Sequence, residues 1–166
     1  MAREHLTAKE AFHLLEDLCK ALHIRIVFGF PKYLGKVYGG ALYYDVGKKK
    51  ARIYIPKSYQ DRFSSKNNAV LLHEIGHYMV IKSGSTMIHG KNKMTYLLSI
   101  YEECMAWMAA IRLAQLFHIR IDKNFKRVIQ VGLDSYIDAA YVELDKHIVK
   151  FLVEVQNTLI GNNKNG

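Results

Sequence analysis

Cysteine and proline are scarce in this 166-residue chain, at two each, and no apolar run is long enough to cross a bilayer. Each shortage removes a class of protein. Cys19 and Cys104 stand far apart, each inside an apolar helical pattern, so they read as reduced core residues and not as a disulfide framework. With two prolines, no low-complexity tract and no internal repeat, linkers are not expected; residues 1–166 read as a single domain, and 50% hydrophobic residues suffice for a sizeable core. Met1-Ala2-Arg3-Glu4-His5 leads straight into a charged amphipathic segment without an apolar signal region or a small-residue cleavage site, which predicts a soluble cytoplasmic protein with no membrane association. Acidic residues are also short, 15 against 24 Lys and Arg, for a net charge of +9. The excess crowds into Lys48, Lys49, Lys50, Arg52, Lys57, Arg62 and Lys66. A solvated hairpin end is the simpler reading; a weak nucleic-acid contact through Lys48, Lys49, Lys50 and Arg52 is the alternative, without a zinc-finger or RRM signature beside it.

What the chain does contain is periodicity. Thr7 with Glu10 three residues on forms a capping box, and Phe12, Leu15, Leu18, Cys19 and Leu22 recur at helical spacing, so an N-terminal helix is expected within residues 1–22. Ile24 to Phe30, Val37 to Tyr44 and Ala51 to Ile55 have strand character. Asp45-Val46-Gly47-Lys48 is hairpin chemistry, and Gly39-Gly40 permits a bulge, so residues 24–55 predict a small antiparallel sheet of about three strands. Residues 67–117 predict two helices, the first capped within Ser64 to Asn68 and ended by Ser83-Gly84-Ser85, the second running from Met94 to Phe117. Residues 122–160 predict C-terminal helices: Asp122 caps one that Gly132 interrupts, and Ile137, Tyr141, Leu144, Ile148, Phe151, Val155 and Leu159 form the seam of a long amphipathic one. That seam packs on its own domain, or else offers a contact to a second subunit or partner; residues 161–166 read as a frayed tail. The fold class is therefore α+β.

Chemistry concentrates at His73-Glu74-Ile75-Gly76-His77. Four residues is just over one helical turn, so His73 and His77 project from one face and can share a metal ion. Zinc is the expected cofactor, one ion, since catalytic zinc takes three protein ligands and leaves one position for water. Glu74 is placed to act as general base. The flanks Ala69 to Leu72 and Met79 to Ile81 are apolar, and burying these polar groups without a role would cost several kcal/mol.

A third ligand must come from elsewhere. Ser83 occupies the place where a metzincin has its third histidine, which excludes that pattern. His89 lies in the polar loop beyond. Glu102 and Glu103 are stronger candidates, being adjacent carboxylates in an apolar helix where a cation would neutralise them. Glu103 shares its stripe with Ser99, Ala106, Ala110 and Ala114, which would let the two helices approach closely, whereas Glu102 lies on a bulkier row with Leu98 and Met105. Glu103 is thus the expected ligand, and Glu102 a candidate for holding a ligand histidine.

His73-Glu74-Ile75-Gly76-His77, followed after a loop by Glu103-x-x-Ala106-x-x-Ala109-Ala110, resembles the ImmA/IrrE group of zinc metallopeptidases, over the stretch Ala51 to Phe117. The resemblance implies a minimal zincin-like domain with a gluzincin-like site, two histidines from one helix and a glutamate from the next, beside a small sheet whose edge strand borders the cleft. It also implies proteolysis of a regulatory protein, typically a helix-turn-helix repressor of a phage or mobile element. Zinc on His73, His77 and Glu103 with Glu74 as base would hydrolyse a peptide bond; the protein or peptide substrate would lie extended along a sheet edge, with Ala51 to Ile55 as the candidate strand. Tyr78, Tyr101 and His89 are the candidates for steadying the transition state. Two alternatives remain open: a DNA-associated protease similar to the SprT group, which would use His89, and a non-catalytic protein-binding module braced by zinc.

Overall fold

Thr7 and Glu10 open the fold as their spacing predicts. In the computed structural model, which describes residues 4–31, 39–45, 47–55, 63–84, 93–143 and 146–161, the Thr7 side chain accepts from the Glu10 N–H, and the Glu10 carboxylate accepts from the Thr7 N–H at 2.8 Å. Helix α1 (Ala8–Ala21) then buries Ala11, Phe12, Leu15 and Cys19.

Three strands follow: β1 (Ile24–Phe28), β2 (Ala41–Asp45) and β3 (Lys50–Ile55). The hairpin chemistry joins β2 to β3, with the Asp45 carboxylate accepting from the Lys48 N–H at 3.0 Å, and these two strands are antiparallel. The expectation of a wholly antiparallel sheet is corrected: the order is β1-β3-β2, and β1 runs parallel to β3 with Ile24 opposite Ala51. A tight turn specifies only the pair it joins, and β1 pairs with β3, which is not the next strand in the chain, so no hairpin turn sets its direction. The same order corrects a second expectation. β3 is paired on both sides, so Ala51 to Ile55 is not an edge. On β3, Ala51, Ile53 and Ile55 are buried in the core, while Lys50 and Arg52 are exposed, as are Lys48 and Lys49 at the turn. Lys57 and Arg62 lie outside the described residues.

Helix α2 (Ser65–Lys82) is capped by Ser64, whose side chain accepts from the Asn67 N–H, and it stops at Ser83, followed by Gly84 at a φ of 98° that suits glycine. Helix α3 (Lys93–Leu116) lies against it, with Ala106, Ala110 and Ala114 fully buried. Helix α4 (Lys123–Glu143) starts where Asp122 accepts from the Phe125 N–H at 2.9 Å, and the same carboxylate accepts from the Ser65 hydroxyl at 2.7 Å, tying its start to that of α2. Gly132 does not interrupt it. The glycine sits where the Trp107 ring passes: a Cβ there would meet that ring at 3.3 Å.

The single long C-terminal helix is also corrected. The chain divides after Glu143, and α5 (Lys146–Ile160) folds back along α4, the Gln156 amide donating to the Gln130 carbonyl at 3.2 Å and to Asp134 at 2.7 Å. Its buried row is Val149, Leu152, Gln156 and Ile160; Ile148, Val155 and Leu159 flank it, and Phe151 is exposed. The Tyr141 side chain, Leu144 and residues 162–166 lie outside the description. One contiguous apolar core joins α1, the inner sheet face and helices α2 to α5. The described architecture is α+β, with five helices and a three-stranded mixed sheet among the described residues, where no helix is long and apolar enough to cross a membrane.

Candidate metal centre

Helical spacing puts His73 and His77 on one face of α2, their Nε2 atoms 3.0 Å apart. Helix α3 brings Glu103 to both: Oε2 lies 3.2 Å from His73 Nε2, and Oε1 lies 3.3 Å from His77 Nε2. The approach is possible because two small residues meet. Gly76, inside the motif, faces the backbone of Ala106, one turn after Glu103, and a Cβ on Gly76 would lie 3.1 Å from the Ala106 Cα and closer still to its carbonyl. The alanine stripe of α3 and the glycine of the motif thus have one purpose: they bring a carboxylate within reach of two imidazoles.

The two imidazole nitrogens lie 3.0 Å apart, each has a Glu103 oxygen at 3.2 or 3.3 Å, and one ligand atom from each of the three residues lies within 4.8 Å of the others, a convergence that suits one small ion with bonds of roughly 2.0–2.1 Å. If both imidazoles instead donated N–H groups to Glu103, those two N–H groups would face one another at 3.0 Å, an unfavourable arrangement. Lone pairs converging on a shared cation have no such conflict. His73, His77 and Glu103 are the group, among the described residues, that could hold a metal ion.

The electrostatics are those of a buried charge cluster. Burial works against the Glu103 carboxylate, yet the neighbouring His73 and His77 imidazoles outweigh it and hold Glu103 well below the usual carboxylate range. Burial also disfavours charge on His77; Glu103 more than offsets this, with Glu74 and Glu102 adding to the rise. Glu74 is almost fully buried, and burial pushes its carboxyl up, against the pull of His73 and His77 and of a hydrogen bond from the Leu42 backbone.

That hydrogen bond places Glu74 beside β2. Gly40, just before the strand, makes the room: a Cβ on Gly40 would lie 2.6 Å from Glu74 Oε1. Glu74 is therefore clasped between its own helix and the start of β2, next to both histidines.

The other nominated residues take different places. Glu102 is half-buried, and its charge reaches His77, but it is not one of the three converging donors. Tyr78 points away from the site, its hydroxyl donating to the Leu22 carbonyl at 3.2 Å and its ring stacked edge-on against Tyr44. Its position one residue after His77 turns it to the α1 side of α2. Tyr101 is 58% exposed on α3. His89 lies outside the described residues. Cys104 is buried and is not among the donors; burial pushes its thiol up, and pushes that of Cys19 to about 12, which disfavours the thiolate at both.

Two residues at the site escape sequence reasoning. Trp107 stacks on the His73 imidazole, centroids 4.0 Å apart and rings 22° from parallel. His73 Nδ1 has no hydrogen-bond partner among the described residues, so this stack, and not the usual bond to the far ring nitrogen, orients the imidazole. Its signal was present in the helical spacing, one turn beyond Glu103. Tyr136, on α4, donates its hydroxyl to Glu103 Oε1 at 2.9 Å, and nothing local marks it among 11 tyrosines. Comparison with protein-family models, with curated proteins and with solved structures gives no match.

Proposed function

We propose that the chain is a zinc-dependent endopeptidase in which His73, His77 and Glu103 hold one ion and Glu74 is the general base. The observation that carries this reading is the joint placement of three converging donors and a second, buried carboxylate that is beside them but not one of them. Two imidazoles and a carboxylate are the donor set of hydrolytic zinc sites, and three protein ligands suit catalysis, where structural sites take four. The donors found among the described residues number three. When bound, the metal supplies Lewis-acid polarisation of a carbonyl and acidifies water.

The chain's own residues supply the remainder. Burial keeps the Glu74 carboxyl more basic than a solvated one, which suits it to take the proton of the attacking water and to return it to the leaving amine. The Leu42 N–H and the space above Gly40 hold it in place. A substrate segment lying along β2, which has one side unpaired among the described residues, would pass directly over Glu74. The resemblance at the motif suggests a helix-turn-helix repressor of a phage or mobile element as the substrate class.

The test is Glu74→Gln in the zinc-loaded protein, assayed on a library of internally quenched peptides. Zinc stoichiometry should be unchanged and hydrolysis should fall by about 10²- to 10⁴-fold. Wild-type rates in Glu74→Gln would sink the proposal.

A further inference from the structure

Glu103 has two oxygens, and the structure treats them differently. Oε2 faces His73 Nε2 at 3.2 Å. Oε1 faces His77 Nε2 at 3.3 Å and also accepts the Tyr136 hydroxyl at 2.9 Å. The hydroxyl comes from α4, which is neither the motif helix nor the helix of Glu103.

We propose that Tyr136 is a positioning residue that occupies Glu103 Oε1 and thereby leaves Oε2 as the ligand oxygen, so that Glu103 binds a metal through one atom. A carboxylate free of such a bond can swing to engage an ion through both oxygens, which fills a coordination position that a hydrolytic site needs open. The phenol O–H opposes that swing in two ways. It withdraws a lone pair from Oε1, and it anchors the carboxylate to a helix that is itself fixed. Phe125, Ile129, Leu133 and Ile137 bury one face of α4, Trp107 passes Gly132 one turn before Tyr136, and Gln156 clamps Gln130 and Asp134 from α5. Glu103 is thus held from behind by the C-terminal hairpin, while α2 supplies the nitrogens in front of it. Nothing equivalent holds His73, whose far nitrogen has no partner among the described residues. The Tyr136 hydroxyl thus bears on the ligand with a choice of binding mode.

This inference rests on the metal-binding part of the proposed function and not on proteolysis. Its test uses the full chain with Zn²⁺ and Co²⁺ alone. Trp107, the single tryptophan, lies against His73 and reports occupancy by its fluorescence. Tyr136→Phe keeps the ring and removes the hydroxyl. The expected result is a zinc Kd raised about 10- to 100-fold, the usual range for losing a residue that orients a ligand. The Co²⁺ visible absorption should weaken at the same time as its coordination number rises. In a Glu103→Ala background the added Tyr136→Phe should change neither quantity, because its effect passes through Glu103. An unchanged Kd and an unchanged Co²⁺ spectrum in Tyr136→Phe overturn the proposal. So does a loss of affinity that persists undiminished in the Glu103→Ala background, since Tyr136 would then act on the fold. If the wild-type chain binds neither ion, the metal reading itself fails, and this inference with it.

Discussion

Gly40 has no functional group, yet it decides where the Glu74 carboxylate can sit. A methyl group at this position would lie 2.6 Å from Glu74 Oε1 and 2.6 Å from Val70 Cγ1, well inside contact distance, so either the carboxylate moves or the strand start does. Gly40→Ala should destabilise the protein by about 1–3 kcal/mol, the usual cost of overpacking. It should also lower peptide hydrolysis by about 100-fold, the scale expected when a reacting group shifts by about 1 Å. Zinc stoichiometry should not change, because His73, His77 and Glu103 lie on helices that Gly40 does not separate. Urea unfolding and a peptide assay on one preparation check both halves, and full activity would show that Glu74 does not depend on this clasp. At this scale the sequence carried His73, Glu74 and His77 outright, because ligand spacing on a helix is local information. Glu103 was recoverable because its neighbours are alanines. Gly40 and Tyr136 were not recoverable, since each reaches the site from an element distant in the chain, and no periodicity records a tertiary neighbour.

Between elements, the decisive contact is Gly76 of α2 against the Ala106 backbone of α3. Glycine in a helix interior costs about 1 kcal/mol in propensity relative to alanine, so exchanging it would stabilise an isolated helix. Here the sign reverses. A Cβ on Gly76 would strike the Ala106 carbonyl, and backbone cannot step aside as a flexible side chain can. Gly76→Ala should therefore cost about 1–3 kcal/mol or more and spread the helices by enough to weaken zinc binding, whereas the same exchange at Gly84, where nothing lies within 4 Å, should leave zinc binding intact. Denaturant midpoints and zinc titrations on the two variants test the difference; a Gly76→Ala chain as stable and as tight in binding as wild type would contradict the close approach. Most elements were legible because caps and apolar periods are written locally: Thr7 with Glu10, Ser64, Asp122. The errors fell where local signals end. β1 pairs with a strand that does not follow it in the chain, so no hairpin turn dictates its partner or direction. The C-terminal seam was continuous in sequence, but the chain turns back after Glu143, and packing on α4 rotates α5 so that Val149 and Leu152 face inward and Phe151 does not.

Taken whole, the molecule is joined at one point by the candidate centre: α2 supplies two donors, α3 the third, α4 the hydroxyl that fixes it, and the approach to β2 the pocket for Glu74. The complete three-donor site exists in the folded chain alone, because Glu103 is 26 residues from His77 and 30 from His73 in an unfolded one. Linkage then fixes the sign and scale of its effect. At a free zinc concentration about 1,000 times the Kd the fold gains about 4 kcal/mol. For a chain of this length, each kcal/mol moves the unfolding midpoint by about 2–4 °C, so removing the metal should lower it by about 8–16 °C. The chelator must be chosen with the net charge of +9 in mind, since a polyanionic one could bind the exposed lysines around Lys48 to Lys50 and shift the midpoint by itself. A neutral chelator such as 1,10-phenanthroline avoids this. Calorimetry should show the loss on chelation, its recovery on returning zinc, and no response in Glu103→Ala, whose site lacks one donor. A midpoint indifferent to the chelator, or one that falls equally in Glu103→Ala, would mean that these helices are not held together by a metal at His73, His77 and Glu103.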